Sequence, residues 1–258
     1  MASPAHTVTV THVTHYTESY FRLRTTRPRG LRFVSGQFIM MGMQLEDKPL
    51  MRAYSIASPC WDDELEFYSI IIPDGALTSR LKDTKCGDSL LLSAKPVGTL
   101  TLRGLKPEGS RLFMLSTGTG FAPFASLIRD EDVYEQFDEV YITQTCRFAE
   151  DLRYSRDRFE EAQACPLVGE EASKKLFYYG SVTREPHPFQ GRITTLIENG
   201  KFFRDLGIPE FNPAIDRVMI CGSMAMLKDT QILLEKLGFD RGSNARPGQY
   251  VWERAFTG

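Results

Sequence analysis

The residues best suited to chemistry in this chain are a tetrad, Arg-Ala-Tyr-Ser, that begins at Arg52, and two glycine-rich turns at residues 117–120 and 221–224. Arg52 is a permanent, planar cation that suits a pyrophosphate. Tyr54 and Ser55 follow in a strand-like stretch, where alternate side chains face opposite ways, and they offer an aromatic face and a hydroxyl to a redox-active ring. The glycine-rich turns lack side chains that would keep a second dinucleotide from the backbone amides. This order predicts a flavin site followed by a nicotinamide site.

The segment after the tetrad adds a second partner for the same dinucleotide. A strand-like run at 67–72 leads through Gly75 into a helix start at 76–79. Amides exposed at such a start, together with the hydroxyls of Thr78 and Ser79, favour phosphate binding. The plain structural alternatives are a capped helix on a tight turn and, for the tetrad, a surface arginine beside a core tyrosine.

The first glycine-rich turn lies between an apolar run and a helix that opens with Pro123 near its first turn. Two glycines there admit a pyrophosphate. The turn lacks the full Gly-x-Gly-x-x-Gly fingerprint and is weak evidence by itself. Its place at the first strand–helix turn of an α/β segment strengthens the prediction, because ligands collect at the carboxyl ends of such strands.

Three arginines in successive loops address the choice between NADP and NAD. Arg147, Arg184 and Arg192 each follow or flank a predicted strand end. Arginine forks bind a dianionic phosphate strongly, whereas an acidic side chain would favour a ribose hydroxyl. A lone arginine in a loop is more often a solvated charge. Three in matching loops predict NADPH.

Cys221 ends an apolar run and precedes Gly222 and Met224. A buried cysteine is commonly just a small hydrophobic residue. Because no histidine is near it in sequence, we predict no nucleophilic chemistry for this thiol, and the resemblance described below implies a positioning role beside the nicotinamide.

The pattern of elements predicts two domains. Short β-type segments with turn signals up to about residue 103 favour an antiparallel barrel, and strands alternating with helices after a linker at 106–110 favour a doubly wound α/β domain. We assign residues 1–105 to a β-barrel domain and residues 106–258 to an α/β domain; the resemblance described below implies that the first binds FAD, that the second binds NADP(H) and that its tail returns to the flavin. The length of 258 residues suits two such domains.

Composition excludes several classes of protein. A formal net charge of −2 gives no general attraction to nucleic acid, and the N-terminus has no apolar run that resembles a signal peptide or membrane span. The five cysteines and four histidines lack the spacing of a metal site or a disulfide framework. We expect a cytoplasmic monomer with no metal, no nucleic-acid partner and no membrane partner.

The ordered motifs Arg-x-Tyr-Ser, Gly-x-Leu-Thr-Ser, Gly-Thr-Gly-x-Ala-Pro, Cys-Gly-Ser-Met and Glu-Arg-Ala-Phe span nearly the whole chain. Together they resemble the bacterial ferredoxin–NADP⁺ reductases. The resemblance implies an FAD-dependent oxidoreductase in which hydride passes from NADPH to flavin N5 and single electrons then pass to ferredoxin or flavodoxin. It places Arg52 at the pyrophosphate, Tyr54 at the isoalloxazine and Ser55 at a ring nitrogen.

The resemblance also implies the rest of the site. The other predicted FAD-binding residues are Ala53, Phe67, Tyr68, Ser69, Ile70, Gly75, Ala76, Leu77, Thr78, Ala255 and Phe256. The predicted NADP-binding residues are Thr117, Gly118, Thr119, Gly120, Arg147, Thr183, Arg184, Arg192, Cys221, Gly222 and Met224. The predicted catalytic residues are Ser55, Cys221 and Glu253, the last for charge or protons near the flavin.

The tail from Trp252 onwards is aromatic for a chain end. We predict that it covers the flavin face on which nicotinamide must stack and therefore has to move. Plant-type relatives end in tyrosine, so either Ala255 or Phe256 is the stacking residue here. The alternative is that Phe256 simply packs.

Five arginines crowd the first strand–loop region, at positions 22, 24, 27, 29 and 32. They predict either a docking surface for an acidic carrier protein or an edge strand protected against aggregation. Two rival functions stay open at this point. One is another reductase on the same scaffold, such as an NADH-dependent flavin reductase or oxygenase reductase, and the other is a flavoprotein that binds without catalysis.

Overall fold

The first half of the chain is an antiparallel sheet. The computed structural model describes residues 4–46 and 48–255. The strands are β1 (Pro4–His15), β2 (Tyr20–Thr26), β3 (Phe38–Gln44), β4 (Pro49–Ser55), β5 (Glu64–Ile70) and β6 (Ser89–Ser93), and a short helix α1 spans Thr78–Leu81. Their order in the sheet is β4-β3-β6-β1-β2-β5.

The two outer strands of this sheet curl towards each other. Alternate residues of β2 are buried, which is the pattern of a sheet with one face on a core. Beyond the end of β4, the Ala57 amide donates to the Glu66 carbonyl of β5 at 2.8 Å. The rings of Tyr54 and Phe67 meet edge to face with 6.3 Å between their centroids. These contacts close the sheet into a barrel around an apolar core.

The second half is a five-stranded parallel sheet with helices on both faces. Its strands are β7 (Arg111–Thr117), β8 (Glu139–Cys146), β9 (Leu176–Val182), β10 (Asp216–Gly222) and β11 (Tyr250–Arg254), in the order β11-β10-β7-β8-β9. The helices are α2 (Ala122–Leu127), α3 (Glu131–Gln136), α4 (Arg153–Ala164), α5 (Gly169–Lys175), α6 (Ile193–Glu198), α7 (Lys201–Leu206) and α8 (Met224–Lys236). Short 3-10 helices span Leu102–Gly104, Gly118–Phe121 and Ala149–Leu152.

The strand order reverses between β7 and β10, where Ser116 lies opposite Cys221. All seven residues of β10 are buried, because helices cover both faces of the sheet. Ligands of doubly wound sheets bind at the carboxyl ends of strands beside such a reversal. The carboxyl ends of β7 and β10 are therefore the expected place for a bound ligand.

The predicted architecture, a barrel followed by a doubly wound sheet, is confirmed. The bounds differ in detail. The sequence pattern predicts a first strand over 6–14 and a helix over 77–83, whereas β1 starts at Pro4 and α1 ends at Leu81. The helical period over 224–237 matches α8 almost to the residue. The described residues contain no helix long and apolar enough to cross a membrane.

Candidate active site

The tetrad ends β4 at the open side of the barrel. Arg52 is half-buried, and its Nη1 donates to the Met51 carbonyl at 2.9 Å. Tyr54 is only 7 % exposed, and its hydroxyl lies 3.3 Å from Ser69 Oγ on β5. Ser55 is half-buried, and within the described part of the chain its hydroxyl has no hydrogen-bond partner. The polar side chains of Arg52 and Ser55 thus lie at the surface of this strand. Ala53 between them is half-buried as well.

The side chains of β5 have more varied roles than the sequence predicts. Phe67 is fully buried in the barrel core, so only its backbone can border a cofactor. Tyr68 points away from the barrel and stacks on Tyr154 of α4, with 3.9 Å between the ring centroids and 7° between the planes. Tyr20 also stacks on Tyr68, with 5.5 Å between the ring centroids. The side chains of Phe67 and Tyr68 are therefore both packed inside the protein, and the prediction that these residues line the flavin rests on their backbones.

The turn at 72–78 is held by a threonine hydroxyl. Thr78 Oγ1 accepts from the Ile72 amide at 3.2 Å and donates to the Ile72 carbonyl at 3.3 Å, so it is not free for phosphate. A Cβ on Gly75 would lie 2.4 Å from this hydroxyl, which explains glycine there. The Leu77 side chain lies in the barrel core. Within the described residues the amides of 76–78 donate no hydrogen bond, so the backbone here fits an anion.

The glycine-rich turn after β7 is shaped by close backbone contacts. Gly118 has φ +54° and a carbonyl that accepts from Gln144 Nε2 at 2.8 Å. A Cβ on Gly120 would lie 2.1 Å from the Cys221 carbonyl oxygen, so glycine is required where this turn crosses the end of β10. The Ser223 amide donates to Thr117 Oγ1 at 3.0 Å. The two predicted glycine-rich segments therefore form one joined surface.

Cys221 is 1 % exposed and sits between Ser116 of β7 and Glu253 of β11. Burial, with a smaller contribution from the Glu253 charge, raises the pKa of the thiol well above its ordinary range. The thiol therefore stays neutral, which agrees with the absence of a nucleophilic role in the prediction. Met224 begins α8 with 49 % of its surface exposed at the mouth of the same region.

The predicted phosphate-binding arginines come together. A cavity of about 470 Å³ is lined by Arg147, Thr183, Arg184, Gly191 and Arg192. The backbone joins these loops, since the Arg184 amide donates to the Arg147 carbonyl at 3.0 Å.

All three guanidinium groups are exposed, and within residues 4–46 and 48–255 none has a carboxylate in salt-bridge range. The nearest acid in sequence, Glu185, is occupied by the Ala149 amide. Three exposed cations around one cavity, with no carboxylate in salt-bridge range in the described chain, favour a bound anion.

A larger cleft of about 880 Å³ runs from these arginines to the barrel. It is lined by Thr17, Glu18, Ser19, Tyr20, Ile70, Thr117, Gly118, Thr119, Thr145, Cys146, Arg147, Phe148, Glu150, Asp151, Thr183, Arg192, Ile193, Thr194, Ser223, Met224, Ala225, Met226, Asp229, Arg254 and Ala255.

Sequence reasoning missed the β1–β2 turn at 17–20 and the segment 148–151. The Thr17 hydroxyl donates to Asp151 across the halves at 3.5 Å. These residues belong to no recognisable motif. Only the docking of the two halves brings them to the cleft, so no local pattern could identify them.

The last described residues connect the cleft to the barrel. The Glu253 carboxylate accepts from the Thr99 hydroxyl at 3.2 Å and from the Thr99 amide. Burial raises the pKa of Glu253 above its ordinary value although these bonds oppose the shift. The Ala255 amide donates to the Gly222 carbonyl at 3.0 Å. Of the two candidates for stacking on the flavin, Ala255 lines the cleft, and Phe256 lies outside the described residues.

The arginine-rich region divides into two groups. Arg22 contacts Glu66, Arg24 pairs with Asp62 and Glu64, and Arg27 donates to backbone carbonyls including that of Cys60 at 2.8 Å. These three are structural. Arg29 and Arg32 are exposed and, in the described chain, form no salt bridge.

Comparison with known proteins agrees with the fold and the cleft. Residues 5–101 match the family model described as an oxidoreductase FAD-binding domain. The chain is 52% identical over 252 residues to a flavodoxin/ferredoxin–NADP reductase of Rhodobacter capsulatus, covering 97% of this chain and 93% of that protein. It is 46% identical over 256 residues to a ferredoxin–NADP reductase of Pseudomonas aeruginosa, covering 99% of each. A solved ferredoxin NADP⁺ reductase of Neisseria gonorrhoeae with bound FAD and NADP superposes with a TM-score of 0.87 at 29% identity, covering 97% of this chain and 98% of that one.

The barrel, the doubly wound sheet and the cleft between them define an FAD-dependent oxidoreductase that uses a nicotinamide nucleotide. The relatives narrow this class. The chain belongs to the ferredoxin–NADP reductase family. At the level of the family, the predicted enzyme class, the cofactor FAD, the substrate NADP(H) and electron transfer between NADPH and ferredoxin are confirmed.

Proposed function

We propose that this chain transfers electrons between NADPH and a ferredoxin or flavodoxin through FAD bound at the barrel. The observation that carries the proposal is the cleft of about 880 Å³, which joins the unpaired arginines to Ile70 of β5 and to Ala255. When bound, FAD supplies the exchange between two-electron hydride chemistry and one-electron transfer. The chain's own residues bind and align the two nucleotides.

At the flavin end, we propose that the Arg52 guanidinium and the free amides of 76–78 hold the pyrophosphate from two sides. The unpartnered hydroxyl of Ser55 bonds to a polar atom of the ring. The backbones of Phe67, Tyr68 and Ser69 border the ring where β4 and β5 have no ladder between them in the described structure. FAD fits this part of the barrel, because the protein offers it a cation, free amides and a free hydroxyl.

At the nicotinamide end, we propose that Arg147, Arg184 and Arg192 bind the 2′-phosphate, with Thr183 beside them. The turn at 117–120 and Gly222 let the nucleotide approach the backbone. Glycine is required at 120 and 222, because a Cβ would lie 2.1 Å from the Cys221 oxygen and 2.3 Å from Thr117 Oγ1, respectively. The neutral Cys221 thiol and Met224 position the nicotinamide. Glu253, with its raised pKa, holds a proton more tightly than an exposed glutamate does.

For the protein partner, we propose that Arg29 and Arg32 attract an acidic carrier, since they are exposed, whereas the other three arginines of that region are half-buried in contacts with carboxylates or backbone carbonyls of the barrel. Reversing both charges, Arg29→Glu with Arg32→Glu, raises KM for ferredoxin about tenfold and leaves NADPH-to-dye activity intact. Lys174→Glu with Lys236→Glu makes the same change of charge on exposed helices of the other half and serves as the control. Equal loss of carrier and dye activities, or equal effects of both double variants, rejects this docking surface.

Several finer assignments belong to the same proposal. The domain boundary between residues 105 and 106, the monomeric state, the cytoplasmic location and the use of flavodoxin as well as ferredoxin all follow from the predictions above. An NADH-dependent reductase on the same scaffold is the rival, and the unpaired arginines argue against it.

The deciding test is reduction of ferredoxin, and separately of flavodoxin, by NADPH with catalytic amounts of the purified holoprotein. Turnover with either carrier supports the proposal. A protein that NADPH reduces but that reduces neither carrier is a reductase of another kind.

A further inference from the structure

The buried carboxylate of Glu66 joins the flavin-binding barrel to the α/β half. The residue is 1 % exposed, although an ionised carboxylate is costly to bury. Its Oε1 accepts from the Tyr154 hydroxyl at 2.8 Å, and its two oxygens accept from Arg158 Nη1 at 3.1 and 3.0 Å. Burial opposes its ionisation, yet attraction to the surrounding arginines and the Tyr154 bond keep the pKa of Glu66 below its ordinary value.

Both partners of Glu66 come from one face of α4. Tyr154 and Arg158 are four residues apart and therefore adjacent on the helix. Tyr154 is fully buried and Arg158 is 2 % exposed. Arg158 also contacts Glu161 on its own helix. The contact of Glu66 with Tyr154 and Arg158 is thus a desolvated, hydrogen-bonded cluster between α4 and β5, unlike a flexible surface ion pair.

The two elements that this cluster joins, β5 and α4, each lead to one end of the proposed site. On the barrel side, Glu66 lies on β5, three residues from Ser69, whose hydroxyl meets Tyr54. On the other side, α4 directly follows the 3-10 helix Ala149–Leu152, which contributes residues to the nicotinamide cleft. A shift of α4 against β5 would therefore change the distance between the two bound rings.

We propose that Glu66 is a positioning residue that, through Arg158 and Tyr154, fixes the flavin-binding strand relative to the nicotinamide cleft and thereby sets the rate of hydride transfer. The inference rests on the proposed function. Hydride transfer depends steeply on alignment, and a misplacement of about 1 Å can cost about 100-fold in rate. Glu66 touches neither proposed nucleotide site and acts only through its partners.

The chain contains a matched ion pair that does not cross between the halves. Asp216 accepts from Arg111 Nε at 2.6 Å and from Nη2 at 2.8 Å, and the two side chains are 0 % and 6 % exposed. The pair joins the starts of β7 and β10, at the opposite end of these strands from the cleft. Breaking it removes a comparable buried charge pair without loosening the contact between β5 and α4.

The experiment is anaerobic stopped-flow reduction of the holoenzyme by NADPH, with Glu66→Gln compared with Asp216→Asn and wild type. Glu66→Gln is expected to slow reduction about 10- to 100-fold, with a dissociation constant for NADP⁺ within about twofold of wild type. Asp216→Asn lowers the denaturation midpoint but leaves the reduction rate of the folded protein unchanged. Tyr154→Phe removes only the 2.8 Å bond and keeps the stacked ring. It should give a smaller effect of the same kind, and it replaces Glu66→Gln if that variant does not fold.

Amide hydrogen exchange supplies a readout that does not depend on activity. Exchange at residues 57–60 and 126–129, which meet across the halves, should accelerate in Glu66→Gln and not in Asp216→Asn. Here Arg129 Nη2 donates to the Ala57 carbonyl at 2.8 Å, and Ser126 Oγ donates to that of Ser58 at 2.7 Å.

The outcomes distinguish a failure of the positioning role from a failure of the proposed function. A reduction rate within twofold of wild type in the Glu66 and Tyr154 variants, or equal slowing in Asp216→Asn, overturns the positioning role alone. A wild-type holoenzyme that NADPH does not reduce overturns the proposed function and this inference with it.

Discussion

Glu253 and Thr99 join the two halves of the chain, because the Glu253 carboxylate accepts a hydrogen bond from the Thr99 hydroxyl, with 3.2 Å between the oxygens. The two residues are 154 positions apart in sequence. Glu253 also lies in register with Cys221 on the neighbouring strand. Glu253 thus binds the barrel through its carboxylate, while its backbone lies beside the carboxyl end of β10, where the proposed nicotinamide site lies.

The raised pKa of Glu253 predicts a pH dependence of stability. The native state holds this proton more tightly than the unfolded chain does. The buried carboxylate therefore costs nothing at low pH, and its cost grows as the pH rises above about 4.3, the ordinary glutamate value, through the raised native pKa. Relative to wild type, Glu253→Gln should gain stability as the pH rises through this window. Urea denaturation in steps from pH 4 to pH 8 measures the difference, and a difference independent of pH would contradict the buried, ionisable carboxylate.

Replacing Arg184 should change the choice of nucleotide. Arg184→Ala removes one of three unpaired guanidinium groups around the cavity of about 470 Å³. A hydrogen bond to a charged group is worth about 1.5–3 kcal/mol, so KM for NADPH should rise roughly 10- to 100-fold while KM for NADH stays the same. Arg204→Ala, an exposed arginine on α7 outside the cavity, is the matched control. Steady-state kinetics with both nucleotides decide the matter, and an equal rise for NADH would place Arg184 outside the 2′-phosphate site.

Ser55→Ala should slow catalysis without weakening the fold. The Ser55 hydroxyl has no partner in the described protein, so its removal should change the free energy of unfolding by less than about 0.5 kcal/mol. Loss of one hydrogen bond to the ring should slow flavin reduction about tenfold. Ser58→Ala should instead lower the free energy of unfolding, because Ser58 Oγ accepts from the Glu66 amide at 3.1 Å and supports the fold. An unchanged rate of reduction in Ser55→Ala removes the residue from the mechanism.

Gly120→Ala should destabilise the protein and impair nucleotide binding. The added Cβ would lie 2.1 Å from a main-chain oxygen at Cys221, which cannot move aside as a flexible side chain can. Overpacking of this kind costs about 1–3 kcal/mol, and we expect the upper part of that range. Gly30→Ala, where a Cβ meets nothing within 4 Å, should stay within about 0.5 kcal/mol of wild type. Chemical denaturation compares the two, and similar stability of both variants would refute the close crossing of the turn and β10.

The sequence predicts the fold and the arginine cavity well for a physical reason. Arg147 and Thr183 follow adjacent parallel strands, and carboxyl ends of parallel strands share one edge of a sheet. Local patterns of hydrophobicity were therefore enough to bring these residues together. The position of Gly118 and Gly120 after a strand is predictable for a similar reason, although no local pattern indicates that Gly120 accommodates the backbone of β10.

Side-chain directions and partners between the halves were not predictable from local patterns. Tyr68, which the resemblance places at the flavin, stacks on Tyr20 and Tyr154, and the docking of α4 that brings Tyr154 to it leaves no local signal in the sequence. Arg24 was a candidate for protein docking, yet the pairing of β2 with β5 brings Asp62 and Glu64 to it. Such contacts join residues far apart in sequence and leave no periodic signal.

The flavin site and the preference for NADPH are tested most directly by the visible spectrum of the purified protein, followed without oxygen after equal additions of NADPH or NADH. We predict flavin bands that bleach quickly with NADPH and slowly with NADH, because the arginine cavity selects the 2′-phosphate. A colourless protein that binds no added FAD would contradict the flavin site. Faster bleaching with NADH would contradict the arginine-based choice of nucleotide and favour the rival NADH-dependent reductase.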